Sequence, residues 1–150
     1  METRLRINMN VKKINNSAIK NKNQPSFAAK ISFFDPKAVT LLSKNVKNFL
    51  PEFDSKIPEI KQIIVDGYPV DIAIGHFGED AVGISARIND KNFPTSWGHA
   101  FFMFKNKKGQ PNTIDGFLGS LRLATKRIKS SPMYKEETIA VSLKKLNAQG

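Results

Sequence analysis

The stretch "PVDIAIGHFGEDAVGISARI", residues 69–88, decides the fold. Two runs, 69–77 and 81–88, alternate apolar with small or polar residues and flank the turn residues Gly78, Glu79 and Asp80. A period of two marks a strand with one buried face. The short loop sets the register: Ile74 falls opposite Ile84, Ile72 opposite Ala86 and Val70 opposite Ile88, which makes one coherent apolar face. The same register sets Asp71 against Arg87, a favourable cross-strand pair, and places Ala73 opposite Ser85 and Gly75 opposite Gly83. A slip of one residue mixes the two faces, so the pattern selects against it.

Working outward, "IKQIIV" (60–65) ends in Asp66-Gly67, a strong two-residue hairpin signal, and so joins the meander upstream. Downstream, "WGHAFFMF" (97–104) is apolar on both sides, with Trp97, Phe101 and Met103 on one face and Ala100, Phe102 and Phe104 on the other. It predicts a central strand covered on both faces. "SFAAKISFF" (26–34) alternates and predicts a further strand. Residues 35–50 predict a helix, with Asp35 as its cap, Pro36 in the first helical position, and Val39, Leu42, Val46 and Phe49 as its buried stripe. Pro51 is expected to stop it, leaving 52–59 as a linker. Residues 113–131 predict a second helix, capped by Thr113, with Ile114, Phe117, Leu118, Leu121 and Ile128 facing the core. "TIAVSLKKL" (138–146) alternates at Ile139, Val141 and Leu143 and predicts a closing strand. The expected fold is α+β, a single domain with a partly antiparallel sheet in the order β-α-β-β-β-β-α-β and two amphipathic helices packed on it. Residues 1–25 read as a flexible basic N-terminal arm, 26–146 as the domain and 147–150 as a C-terminal tail.

The 150 residues contain no cysteine, so disulfides, thiolate catalysis and cysteine-ligated metals are excluded, and a reducing cytoplasm is the expected compartment. No apolar run approaches the length of a membrane span. Net charge is +11 and uneven. Residues 1–30 carry seven basic and one acidic side chain, residues 31–104 seven and nine, and residues 105–150 ten and three. Basic ends around a nearly neutral middle point to an acidic partner, either nucleic acid or an acidic protein surface. Lysine outnumbers arginine 19 to five, which favours point-charge contacts to phosphate over bidentate base recognition.

Three functional readings follow. The first is a non-enzymatic protein that binds the nucleic-acid phosphate backbone, DNA or RNA, through Lys105, Lys107 and Lys108 in a loop and Arg122, Lys126, Arg127 and Lys129 on the second helix, joined into one patch and assisted by Lys12, Lys13, Lys20 and Lys22 of the arm. The second is a protein–protein interaction module, an inhibitor or adaptor, binding an acidic partner. The third is a small ribonuclease with His76 and His99 as acid and base, which requires both imidazoles on one face beside one phosphate. No cofactor is expected, since the glycines form neither a dinucleotide fingerprint nor a phosphate-binding loop. No metal is expected either: the two histidines with Asp71, Glu79 or Asp80 match no metal-ligand spacing. Ser85 and Ser96 lack a nucleophile motif. Gly75, Gly83 and Gly98 are strand glycines at which another group approaches the backbone, most simply a packed helix.

Overall fold

The computed structural model of the chain describes residues 29–149. It is an α+β fold built on one mixed sheet. In chain order the elements are β1 (Lys30–Phe33), α1 (Pro36–Asn45), α2 (Phe49–Ile60), β2 (Ile64–Val65), β3 (Tyr68–Phe77), β4 (Ala81–Ile88), β5 (Trp97–Met103), α3 (Ile114–Ile128) and α4 (Pro132–Gln149). The sheet order is β1-β3-β4-β5, with the short β2 also pairing β3. β1 runs parallel to β3; β2, β4 and β5 pair antiparallel to their neighbours.

The β3–β4 register is the one that the alternation predicts, from Val70 opposite Ile88 to Gly75 opposite Gly83. The Asp66-Gly67 turn also forms as expected: both residues have positive φ, 50° and 85°, as the tight hairpin between β2 and β3 requires. Val70, Ile72, Ile74, Ile84, Ala86, Ile88, Ala100 and Phe102 line the covered face of the sheet and are buried. On it sit Leu42 and Val46 of the first helical segment, Phe49, Phe53 and Ile57 of α2, and Phe117, Leu121 and Ile128 of α3. The Phe117 ring meets those of Phe49, Phe53 and Phe102 at centroid distances of 5.5, 6.2 and 5.4 Å.

Three elements differ from expectation. The predicted linker over 52–59 is helical. Phe49, Phe53, Ile57 and Ile60 recur at helical spacing and are all buried in α2. Pro51 lies in its first turn, where a missing N–H costs nothing, so it starts a helix instead of stopping one. The break between α1 and α2 falls at Asn48, which adopts φ 56°. The predicted strand over 138–146 lies inside α4, so it adds no closing strand to the sheet, and the described residues form four helices where two were expected. Finally, β5 is an edge strand with only one covered face: Trp97, Phe101 and Met103 are 36, 53 and 50% exposed. The basic arm and its four lysines lie outside the described residues.

Candidate functional site

The sheet has a second face against which no helix among the described residues packs. The registers arrange that face in rows across the strands. Lys30, Asp71, Arg87 and Trp97 form the first row, and Ser32, Ala73, Ser85 and His99 the second. Gly75, Gly83 and Phe101 form the third, with Phe34 following β1 to meet Gly75. Phe77, Ala81 and Met103 form the fourth. The centre of the face is therefore a floor of small residues, charged at one end and aromatic at the other. A Cβ added to Gly75 would touch the Phe34 ring at 3.4 Å, and one added to Gly83 would touch the Phe101 ring at 3.6 Å. Glycine at these two positions lets each ring lean across the backbone. Phe77 and Phe101 pack against each other with centroids 4.7 Å apart, yet Phe34 is 72% and Phe77 60% exposed.

At the charged end, Arg87 lies 5.5 Å above the Trp97 ring, and Trp97 stacks parallel to His99. His99 Nδ1 is 3.0 Å from Ser85 Oγ. Asp71 sits between Lys30 and Arg87 with its Oδ2 3.8 Å from the Arg87 Nε. Burial raises its carboxyl above the ordinary 3.8, against the pull of Lys30 and Arg87. Its Oδ1 is buried with no hydrogen-bond partner.

The two histidines do not meet. His76 falls opposite Val82, on the covered side of the sheet, and its Nδ1 lies 3.0 Å from the Oδ2 of Asp35, the cap of α1. His99 is exposed on the open face of β5. With the sheet between them, His76 and His99 do not form the acid–base pair expected on one phosphate. Nor is His99 a core residue: β5 is an edge strand, and the face it shares with Trp97 is the open one. Asp35 instead has a structural role. Burial alone would raise its carboxyl, but the Ala38 N–H and His76 outweigh it and hold the group below 3.8.

The predicted cations divide into separate groups. Lys105, Lys107 and Lys108 are exposed on a tight loop after β5. Asn106 accepts hydrogen bonds from the Lys108 and Gln110 backbone N–H groups, Lys105 bridges Pro111, and Gly109 closes the turn at φ 78°. The remaining cations lie from the middle to the far end of α3, about 12 to 22 Å along the helix at about 1.5 Å per residue. There Arg122 pairs with Glu59 at 3.1 Å and Lys129 with Asp66 at 3.0 Å. With Lys126 they line a cleft of about 480 Å³ between α3 and the α2–β2 segment, so acids interrupt the expected continuous patch. Arg127 points the other way. It donates to the His99 carbonyl at 2.8 Å, on the outer edge of β5 and so on the rim of the open face.

The aromatic side of the site was not anticipated, because β5 was expected to be covered twice. A signal was present nonetheless. The predicted register already gathered Ala73, Gly75, Gly83 and Ser85 on one face, too sparse to pack a helix, and Phe101 and Met103 share that face. Among the described residues, no group of three or more His, Asp or Glu side chains is arranged to hold a metal ion, and no helix is long and apolar enough to cross a membrane. Comparison with protein-family models, curated proteins and solved structures finds no match to this chain.

Proposed function

We propose that the protein is a non-enzymatic, cytoplasmic binder of the nucleic-acid phosphate backbone. The observation that carries this reading is the ordered loop that presents Lys105, Lys107 and Lys108 to solvent within four residues. Fixing the loop by the Asn106 hydrogen bonds lowers the entropy lost when three ammonium groups engage successive phosphates. Arg127 adds a cation on the same β5 side of the sheet, and the net charge of +11 supplies a long-range attraction for a polyanion. Arg122 and Lys129 contribute less, since Glu59 and Asp66 already neutralise them. The test is anisotropy of labelled oligonucleotides titrated at several salt concentrations. Each phosphate neutralised adds about 0.7 to 0.9 to the slope of log affinity against log salt, so the triple Lys105, Lys107, Lys108→Ala variant should lower that slope by about 2 to 3. No binding at low salt refutes the proposal.

A second reading, a module for an acidic protein surface, is favoured by α4. Ile139, Leu143 and Leu146 form an exposed stripe on it, flanked by Lys144 and Lys145. Polyglutamate of matched charge is the discriminating probe. Binding it as tightly as an oligonucleotide, with loss on Leu143→Glu, would favour this reading.

A further inference from the structure

We infer that the open face of the sheet is a stacking platform for unpaired bases, so that the nucleic acid bound is single-stranded. This rests on the backbone-binding reading and adds to it the part that reads bases.

Phe34, Phe77 and Phe101 are large apolar side chains left more than half exposed on one continuous surface. They do not hang over solvent at random. Gly75 and Gly83 clear the floor beneath Phe34 and Phe101, and the Phe77–Phe101 contact fixes two rings against each other. A Cβ at either glycine would reach the ring at ordinary contact distance, so each ring lies directly over the strand backbone. Phe77 and Phe101 are thus held against each other while each stays more than half exposed, which lowers the rotamer entropy left to lose on binding. Every base has a π-face, and aromatic platforms accept bases of any sequence.

The surroundings supply the charge. Lys30 and Arg87 lie at one end of the face, Arg127 lies along the β5 rim, and the Lys105–Lys108 loop leaves β5 two residues after Met103. A strand of nucleic acid with its bases on the rings would run its phosphates along that rim. In a duplex the bases are stacked on one another and cannot reach these rings. A second copy of the chain would bring its own Lys30, Arg87 and net charge of +11 against the same groups. The positive rim therefore favours a polyanion over self-association.

The experiment uses the full chain with labelled oligothymidylate, oligouridylate and a DNA duplex, each about 20 nucleotides long, which covers one or more sites of this kind. Phe77→Ala and Phe101→Ala are exposed substitutions, checked for folding by circular dichroism. Each should weaken single-strand binding by about 5- to 150-fold, leave the salt slope unchanged and leave duplex binding unchanged. Phe101→Tyr should restore single-strand binding, and Phe101→Leu should not. The better of the two single strands identifies DNA or RNA as the source. Equal binding of single strand and duplex, indifferent to both Phe→Ala changes, overturns the platform and leaves backbone binding standing. Loss of self-association in the Phe variants, with oligonucleotide affinity unchanged, overturns it in favour of a dimer face. Absence of any oligonucleotide binding overturns both.

Discussion

Gly98→Ala tests the packing that makes this sheet one-sided. Gly98 falls opposite Ala86 on the covered face of β5, where α3 crosses. A methyl built there would lie 2.6 Å from the Ile128 backbone nitrogen and closer still to the Ala124 carbonyl oxygen. Both obstructing atoms are helix backbone, so no rotamer change relieves the clash. Reaching an ordinary contact distance from the Ala124 oxygen requires α3 to lift by roughly 1.4 Å, and a gap of 0.5–1 Å already forfeits about a quarter to a half of the dispersion energy of the contacts it opens. The contacts at risk are those of Phe117, Leu121, Ala124 and Ile128, all fully buried. Overpacking typically costs 1–3 kcal/mol, and with backbone on both sides about 3 kcal/mol is expected. For a domain of this size that lowers the melting temperature by about 10–15 °C. Thermal and urea melts followed by circular dichroism measure it, with Gly119→Ala as the control. Gly119 is an exposed α3 residue with nothing within 4 Å of an added Cβ, so alanine there should stabilise by about 0.5–1 kcal/mol through helix propensity. A Gly98→Ala melting temperature within about 2 °C of the parent would refute the close helix–strand contact.

Other outcomes follow from the same geometry. Asp35 is held below its ordinary value of 3.8, so its share of stability is present above 3.8 and is lost as pH falls through the lower folded value. Asp35→Asn keeps the cap and should flatten the acid limb of the stability curve, whereas Asp35→Ala should also cost about 1 kcal/mol at neutral pH, both read from urea melts across pH. Asp71 has the opposite sign. Its carboxyl is raised by burial, so ionising it opposes folding above its folded value; Asp71→Asn should be at least as stable as the parent at pH 7, with the difference closing in acid. Glu137 accepts from the Thr95 N–H and hydroxyl and from the fully buried Ser96 hydroxyl. Glu137→Ala should cost about 1–3 kcal/mol in a thermal melt and speed amide exchange along α4.

The parts of the fold that could be read locally share a physical property: two independent constraints agreed. In β3 and β4 the apolar match and the Asp71–Arg87 pair demand one register. In α3 the cap at Thr113 and the stripe from Ile114 to Ile128 demand one helix. Where the constraints conflicted, the reading failed. Residues 49–60 carry a helical stripe, but two prolines mask it, and only burial of Phe53 and Ile57 against the sheet settles the conflict. In α4 the residues turned toward the body are Tyr134, Glu137 and Val141, at helical spacing but with a carboxylate in the middle. The apolar signal therefore came from Ile139 and Leu143, which face solvent, and two-residue alternation was the wrong period. Tyr134 anchors the helix by stacking on Phe93 and donating its hydroxyl to Asp66, a long-range contact that no local pattern reveals.

Three strand glycines show how far a local reading reaches. Each is expected to mark a close approach to the backbone; at Gly98 a helix makes one, whereas at Gly75 and Gly83 aromatic rings lie at ordinary contact distance. Nothing in the flanking residues separates the cases, since each sits in an apolar, strand-like run. The difference is sidedness, and sidedness follows from register. Gly98 shares its side with Ala86 and Ala100, where α3 closes the core. Gly75 and Gly83 pair with each other on the side of Ala73 and Ser85, where the apolar bulk stands at one end of the face and the centre is small. Among the described residues, no helix or strand completes this face of small residues edged by rings. At this face an added planar partner gains contact with Phe34, Phe77 and Phe101, which the described chain leaves more than half exposed.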